Sequence, residues 1–222
     1  MSRFLAVGDI HGCAKTFRHL LTSEFKLEKS DVVVCLGDYI DRGPDSKGVI
    51  DFIIELRNAG HTIHTLRGNH EQLMMDSVGG NDFLEQLWIE NGGDKTLQSF
   101  GIGSYRELDD TYKRFFEAMP YYFVHENFIF VHAGLNLQIE NPFEDKHAML
   151  WLRDFKANEF LDERILVHGH TPIRIKNLLA QFPSNIVNID GGCVYSQIEG
   201  YGNLVGFNVT ERKFISIQNR EL

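Results

Sequence analysis

The chain has 222 residues, 43% hydrophobic and 24% charged, with a formal net charge of -9, the profile of a globular protein with a substantial core. Acidity of this size argues against broad nucleic-acid binding, which needs a basic face, and no apolar stretch approaches the roughly eighteen residues of a membrane span. Cys13, Cys35 and Cys193 form an odd, widely spaced set without a CxxC pair; that excludes a disulfide framework and fits a reducing, cytoplasmic setting.

Phe4-Leu-Ala-Val7 is a short apolar run ending in Gly8-Asp9, which predicts a buried strand that delivers a loop. The first turn starts so early that no cleavable leader fits before it. Helical spacing follows over Ala14 to Leu21, with Phe17, Leu20 and Leu21 on one side. Asp31 to Leu36 repeats the strand pattern and ends in Gly37-Asp38. Ser46 to Asn58 predicts an amphipathic helix through Val49, Ile50, Ile53, Ile54 and Leu56, closed by Gly60. His61 to Leu66 alternates as a third strand before Arg67-Gly-Asn-His70.

From about Gly79 to Met119 the pattern turns helical, interrupted by Gly92-Gly93, and predicts an insertion beside the site rather than a separate domain. Tyr121 to Val124 and Phe128 to Val131 predict a β-hairpin. Arg164 to Val167, Asn185 to Ile189, Leu204 to Val209 and Phe214 to Ile217 complete a strand-rich second half. Strand–turn–helix alternation of this kind predicts an α/β core with parallel pairings. Open α/β sheets place ligands in loops at the carboxyl ends of their strands.

Five motifs fall at such ends: Gly8-Asp-Ile-His-Gly12, Gly37-Asp-Tyr-Ile-Asp-Arg-Gly43, Gly68-Asn-His-Glu71, His132-Ala-Gly134 and His168-Gly-His-Thr171. Their Asp, Asn and His side chains suit two hard or borderline divalent metals. Two metals about 3.5–4 Å apart can clamp the attacking and leaving oxygens of a displacement at phosphorus. Asp9 and His11, two apart in one turn, can face a single ion; Asp38 is the natural bridge. Asn69 offers an amide oxygen, and His132 and His170 offer imidazoles. Each motif alone has a plainer reading, a capped turn or a helix N-terminus with Glu71 near the dipole; the ordered set of five favours metal binding.

The series GDIHG, GDYIDRG, GNHE, HAG and HGHT resembles the PPP-type metallophosphatases of the calcineurin-like metallophosphoesterase superfamily, over roughly residues 4 to 192. It is most similar to the bacterial and bacteriophage, lambda-type serine/threonine phosphatases, above all in Arg67-Gly-Asn-His-Glu-Gln-Leu-Met-Met75. The resemblance implies one catalytic domain over 1–222, an α/β/β/α sandwich of two mixed sheets flanked by helices. It implies one metal on Asp9, His11 and Asp38, and the other on Asp38, Asn69, His132 and His170. His70 becomes the proton donor to the leaving oxygen, oriented by Asp41, while Arg42, Arg67 and Arg153 contact the phosphate through planar guanidinium forks. The implied reaction is hydrolysis of phosphoserine and phosphothreonine, with phosphotyrosine as a further substrate, by in-line attack of a metal-bridged hydroxide. Manganese is the first choice of ion, and the same O/N ligand set accepts iron, zinc, cobalt or magnesium.

The His-Ala-Gly triplet is also similar to dinucleoside tetraphosphatases, so hydrolysis of a nucleotide such as diadenosine tetraphosphate is the alternative. A catalytically silent metal-binding module is a third reading, opposed by the intact His70 and Asp41. Asp41 and Glu71 favour the phosphomonoesterase branch. The segment Asp190-Gly-Gly-Cys193 lacks the SAPNYC-type loop of eukaryotic relatives, so no regulatory subunit is inferred; the partner is a phosphorylated protein or peptide. His19, His61, His64, His125 and His147 lack motif context, and Trp88 and Trp151 read as core. Asp190 reads as a turn residue, and His168 stands evenly between a supporting and a structural role.

Overall fold

A computed structural model describes residues 2–79, 82–181 and 184–221. Two mixed sheets carry the chain. The first holds β1 (Phe4–Val7), β2 (Val32–Cys35), β3 (Thr62–Thr65), β8 (Asn203–Asn208) and β9 (Lys213–Gln218) in the order β3-β2-β1-β8-β9. The second holds β4 (Tyr122–His125), β5 (Phe128–Val131), β6 (Ile165–His168) and β7 (Ile186–Asn188) in the order β4-β5-β6-β7. β1, β2 and β3 run parallel, as do β5, β6 and β7. β8 and β9 close the first sheet antiparallel, and β4–β5 is the expected hairpin.

Alternation along β1 explains the layering. Phe4 and Ala6 point into an apolar layer shared with Phe128, Phe130 and Val167 of the second sheet, while Leu5 and Val7 point to the helices. A strand buried on both faces must be apolar throughout, and β1 and β5 are. On the outer face of the first sheet lie α1 (Ala14–His19) and α2 (Ser46–Asn58), through Phe17, Val49, Ile50 and Ile53. Each such side chain contributes about 1.5–3 kcal/mol when fully buried. α7 (Lys146–Trp151) covers the far side of the second sheet, where Met149 meets Ile129, Val131 and Leu166. The result is the expected α/β/β/α sandwich.

α2 begins at Asp45, whose Oδ1 accepts the Gly48 N–H at 2.8 Å, and ends before Gly60, where φ is +88°. The first predicted helix runs further than its apolar spacing suggested: α1 continues as a wider turn over Leu20–Glu24. α3 (Asn69–Asp76) starts inside the third motif. The expected insertion contains α4 (Asp82–Trp88), α5 (Asp94–Phe100) and α6 (Asp110–Glu117); residues 80 and 81 of it lie outside the described residues. No helix among the described residues is long and apolar enough to cross a membrane.

Candidate metal centre

The motif residues follow β1, β2, β3, β5 and β6 and meet at one end of the two sheets. His11, Asp38, Asp41, Arg42 and His170 all have positive φ, between 45° and 69°. Non-glycine residues adopt that region at a cost, and such backbone clusters at functional sites. It turns the short loops sharply enough to aim their side chains inward.

Two donor groups share Asp38: His11, Asp38 and His70 form one, and Asp38, His132 and His170 the other, with ligand atoms within 4.8 Å of one another. Asp38 Oδ2 lies 3.5 Å from His11 Nε2, and Oδ1 lies 3.5 Å from His132 Nε2. Asn69 Oδ1 stands 2.9 Å from His132 Nε2 and 2.8 Å from His170 Nδ1. The backbone fixes which imidazole nitrogen faces inward. His11 Nδ1 donates to the Ile40 carbonyl at 2.8 Å, and His132 Nδ1 donates to the Leu36 carbonyl at 3.1 Å. Each Nε2 then presents a lone pair to the centre.

The donor set fits divalent metal. Lone pairs of His132, His170 and Asp38 and the amide oxygen of Asn69 converge, which is unfavourable without a cation among them. Asp9, Asp38 and Asp190 are buried together. Burial raises the Asp9 carboxyl well above its ordinary range, and the charges of Asp190 and Asp38 add to that. Burial pushes Asp190 up to about 7, with a contribution from Asp38. Burial also acts upward on Asp38, but His132, His70, His11 and His170 around it outweigh that and hold it far below the usual range. A buried carboxylate cluster of this kind calls for bound positive charge. Nε2 of His170 is buried without a hydrogen-bond partner among the described residues, and Nδ1, 2.8 Å from Asn69 Oδ1, is the ring nitrogen turned to the centre.

The expected ligands do not all point the same way. Asp9 turns both carboxylate oxygens to the His170 N–H, at 3.2 and 3.1 Å. His70, expected only as an acid, completes the donor group of His11 and Asp38. Its Nδ1 lies 2.7 Å from Asp41 Oδ2, so Nε2 is the nitrogen left for chemistry. Burial acts downward on the His70 imidazole, but Asp38 and Asp41 together raise it above its ordinary value.

The arginines differ in placement. Arg42 Nη1 donates to His11 Nε2 at 2.9 Å, next to the metal donors. Arg153 lies at the rim, its Nη1 3.4 Å from Thr171 Oγ1 and 3.5 Å from the His170 carbonyl. Arg67 instead bonds Gln72 Oε1, Tyr121 Oη and the Glu117 carbonyl, at 3.0, 3.2 and 3.0 Å. Beyond Arg153 opens a cavity of about 1040 Å³, lined in part by Trp151, His147, Leu135, Asn136 and Phe155.

Three residues carry weight that the sequence reading missed. Glu71 is buried and accepts N–H groups from Asp38, Tyr39 and Gly68 at 2.8–2.9 Å and from Ile40 at 3.4 Å. It ties the loop after β2 to the loop after β3. Trp88 Nε1 donates to Asp41 at 3.0 and 3.1 Å, and Thr96 Oγ1 donates to Asp41 Oδ1 at 2.6 Å. Trp88 is therefore more than core. His168 is buried against Phe155, ring centroids 5.2 Å apart, with Nδ1 on the Gly169 carbonyl. Asp190 accepts the Gly192 N–H at 2.8 Å, as a turn residue does.

The family model described as Calcineurin-like phosphoesterase matches residues 2–205. Serine/threonine-protein phosphatase 1 of Salmonella typhimurium is 31% identical over 85% of this chain and 86% of its own. The bis(5'-nucleosyl)-tetraphosphatase PrpE of Oceanobacillus iheyensis is 24% identical over 97% of this chain and 92% of its own. Among solved structures, a putative diadenosine tetraphosphatase superposes with a TM-score of 0.70 at 20% identity, covering 98% of this chain and 94% of that one. A protein serine/threonine phosphatase from Saccharomyces cerevisiae gives 0.67 at 17% identity, covering 100% and 81%.

Proposed function

Because the chain belongs to the calcineurin-like phosphoesterase family, we propose that it is a phosphomonoesterase acting on phosphoserine and phosphothreonine, with phosphotyrosine as a further substrate. The observation that carries the reading is the His70–Asp41 pair, at 2.7 Å, with His70 set against His11 and the shared Asp38. Asp9, His11 and Asp38 would hold one divalent ion; Asp38, Asn69, His132 and His170 would hold the second, with manganese the first choice. Bound there, the ions would supply Lewis-acid polarisation of the phosphoryl oxygens and lower the pKa of water to about 7.

The chain's own residues supply the rest. Arg42 and Arg153 bind the non-bridging oxygens and orient the ester so that water attacks phosphorus opposite the leaving oxygen. As the P–O bond to the seryl or threonyl oxygen breaks, His70 Nε2 gives its proton to that oxygen. Asp41 holds the opposite N–H and keeps the ring aimed. A serine alkoxide is a poor leaving group, so this proton is worth about 10²–10⁴ in rate. Arg67 lies further out and joins the phosphate grip only by releasing Gln72 and Tyr121. The helical segment around 79–119 belongs, in this reading, to one catalytic domain, and three buried free cysteines suit a reducing cytoplasm.

His70→Asn tests the assignment. It should keep both metals and lose about 10²–10⁴ in kcat on a phosphoserine peptide; unchanged turnover removes His70 from the role. A second reading, dinucleoside tetraphosphate hydrolysis, is favoured by the cavity beyond Arg153, whose size and aromatic lining would accept a nucleoside. PrpE carries that activity in its name. Specificity constants for a phosphopeptide and for diadenosine tetraphosphate, under matched manganese, separate the two readings.

A further inference from the structure

The Asp41 carboxylate is fully buried and held from three directions. His70 Nδ1 meets Oδ2 at 2.7 Å, Trp88 Nε1 bridges Oδ2 and Oδ1 at 3.0 and 3.1 Å, and Thr96 Oγ1 meets Oδ1 at 2.6 Å. The Thr96 hydroxyl also accepts the Asp41 backbone N–H at 2.8 Å, and Ser46 Oγ accepts the same N–H at 3.1 Å. Thr96 thus grips Asp41 at two points, across 55 residues of sequence. Asp41 needs such a grip, since its φ of 69° lies in the left-handed region.

Trp88 and Thr96 flank a segment shaped to reach the site. An added Cβ at Gly93 would lie 2.5–2.7 Å from the Trp88 indole, so glycine there lets the ring lie flat against the backbone. Gly92, at φ +104°, turns its carbonyl onto the Arg42 N–H at 3.1 Å; a Cβ there would meet the Arg42 nitrogen at 2.7 Å. Within nine residues the inserted helices therefore hold both the partner of His70 and the backbone of a phosphate-binding arginine.

We propose that Trp88 and Thr96 are positioning residues for proton donation: they fix the Asp41 carboxylate and through it the direction of His70. This rests on the reading of His70 as the acid. Indole N–H can only donate, so Trp88 compels Asp41 to accept. His70 then places its proton-bearing Nδ1 on Asp41 and its Nε2 toward the leaving oxygen. Without these bonds the carboxylate can rotate about its terminal bond, and a misdirected ring loses part of the advantage of the acid.

The test is a leaving-group series on metal-loaded enzyme. 2,4-Dinitrophenyl phosphate departs without a proton, whereas phenyl phosphate needs one. Trp88→Phe, which keeps an aromatic side chain and removes the N–H, should lower kcat on phenyl phosphate about 10–100-fold and on the dinitrophenyl ester less than about threefold. Thr96→Val should do the same, and Thr96→Ser should restore most of the loss. Equal losses on both esters, or none on either, overturn the proposal. His70→Asn is run beside them: if it too shows no dependence on the leaving group, the acid reading fails; if it alone does, only the role of Trp88 and Thr96 fails. Solution NMR adds a readout apart from turnover, since the chain has two tryptophans. The Trp88 indole proton should lie downfield and move in Asp41→Asn; an unmoved resonance also counts against the proposal.

Discussion

Replacing Glu71 with Gln isolates the cost of the bond network beneath the site. Its Oε2 takes N–H groups from Asp38 and Gly68, both at 2.9 Å, and its Oε1 takes Tyr39 at 2.8 Å and Ile40 at 3.4 Å. A glutamine has one acceptor oxygen, so its amide N–H₂ must face one of these pairs, donor against donor. The cheaper orientation gives up the Tyr39–Ile40 side and leaves one good N–H buried without a partner, a cost of about 1–3 kcal/mol. Burial and the Asp38 charge push the Glu71 carboxyl up to about 8, so the comparison is made above that pH, where the two remaining bonds change from charged to neutral and weaken by about 1 kcal/mol each. The sum is about 3–5 kcal/mol, a large share of the ~5–15 kcal/mol that domains possess. With a urea slope of about 3 kcal/mol/M the midpoint should fall by about 1–1.7 M. Unfolding is followed by circular dichroism in EDTA, so that metal binding to the native state adds nothing. A midpoint within about 0.3 M of the parent would refute the reasoning, because it would mean the four N–H groups find other acceptors.

Asp38→Asn removes the carboxylate that both donor groups share; metal content by mass spectrometry after desalting should drop from two ions per chain, and two retained ions contradict the bridge. Burial pushes the His168 imidazole down to about 4 from an ordinary 6.5. The unfolded chain therefore takes up that proton first on acidification. Its contribution to stability is complete above about pH 6.5 and is lost toward about pH 4, at most about 3 kcal/mol. His168→Gln should flatten that part of the stability–pH curve in EDTA, and an unchanged slope removes His168 as its source. Gly93→Ala drives a methyl group into the buried Trp88 indole and should cost about 1–3 kcal/mol in denaturant unfolding.

Most of the candidate metal centre is visible in the sequence because each donor follows a short strand within four residues. Asp9 after Val7, Asp38 after Cys35, Asn69 after Thr65, His132 after Val131 and His170 after His168 need only the rule that ligands gather at strand ends. The sandwich is legible for a related reason: β1 and β5 are apolar at every position, which demands cover on both faces. Trp88 and Thr96 are not legible. Indole and hydroxyl groups on a helix pattern read as packing and surface, and the 47 and 55 residues between them and Asp41 carry no periodic signal. The same limit hides the role of Glu71, whose partners include three successive backbone amides after β2. Arg67 shows the converse: its motif foretells a phosphate contact, while Tyr121, brought in by tertiary packing, joins Gln72 of the motif in deciding where the guanidinium rests.

The bond from the His170 amide to Asp9 joins residues 161 positions apart. Asp9, His11, Asp38 and Asn69 leave the ribosome early, whereas His132 arrives only after β5 and His170 only after β6. A growing chain thus exposes a carboxylate-rich half-site long before the imidazoles that would complete it. Ion capture at full strength would have to wait for the chain beyond β6, so metal loading would act as a late lock rather than as a seed for folding.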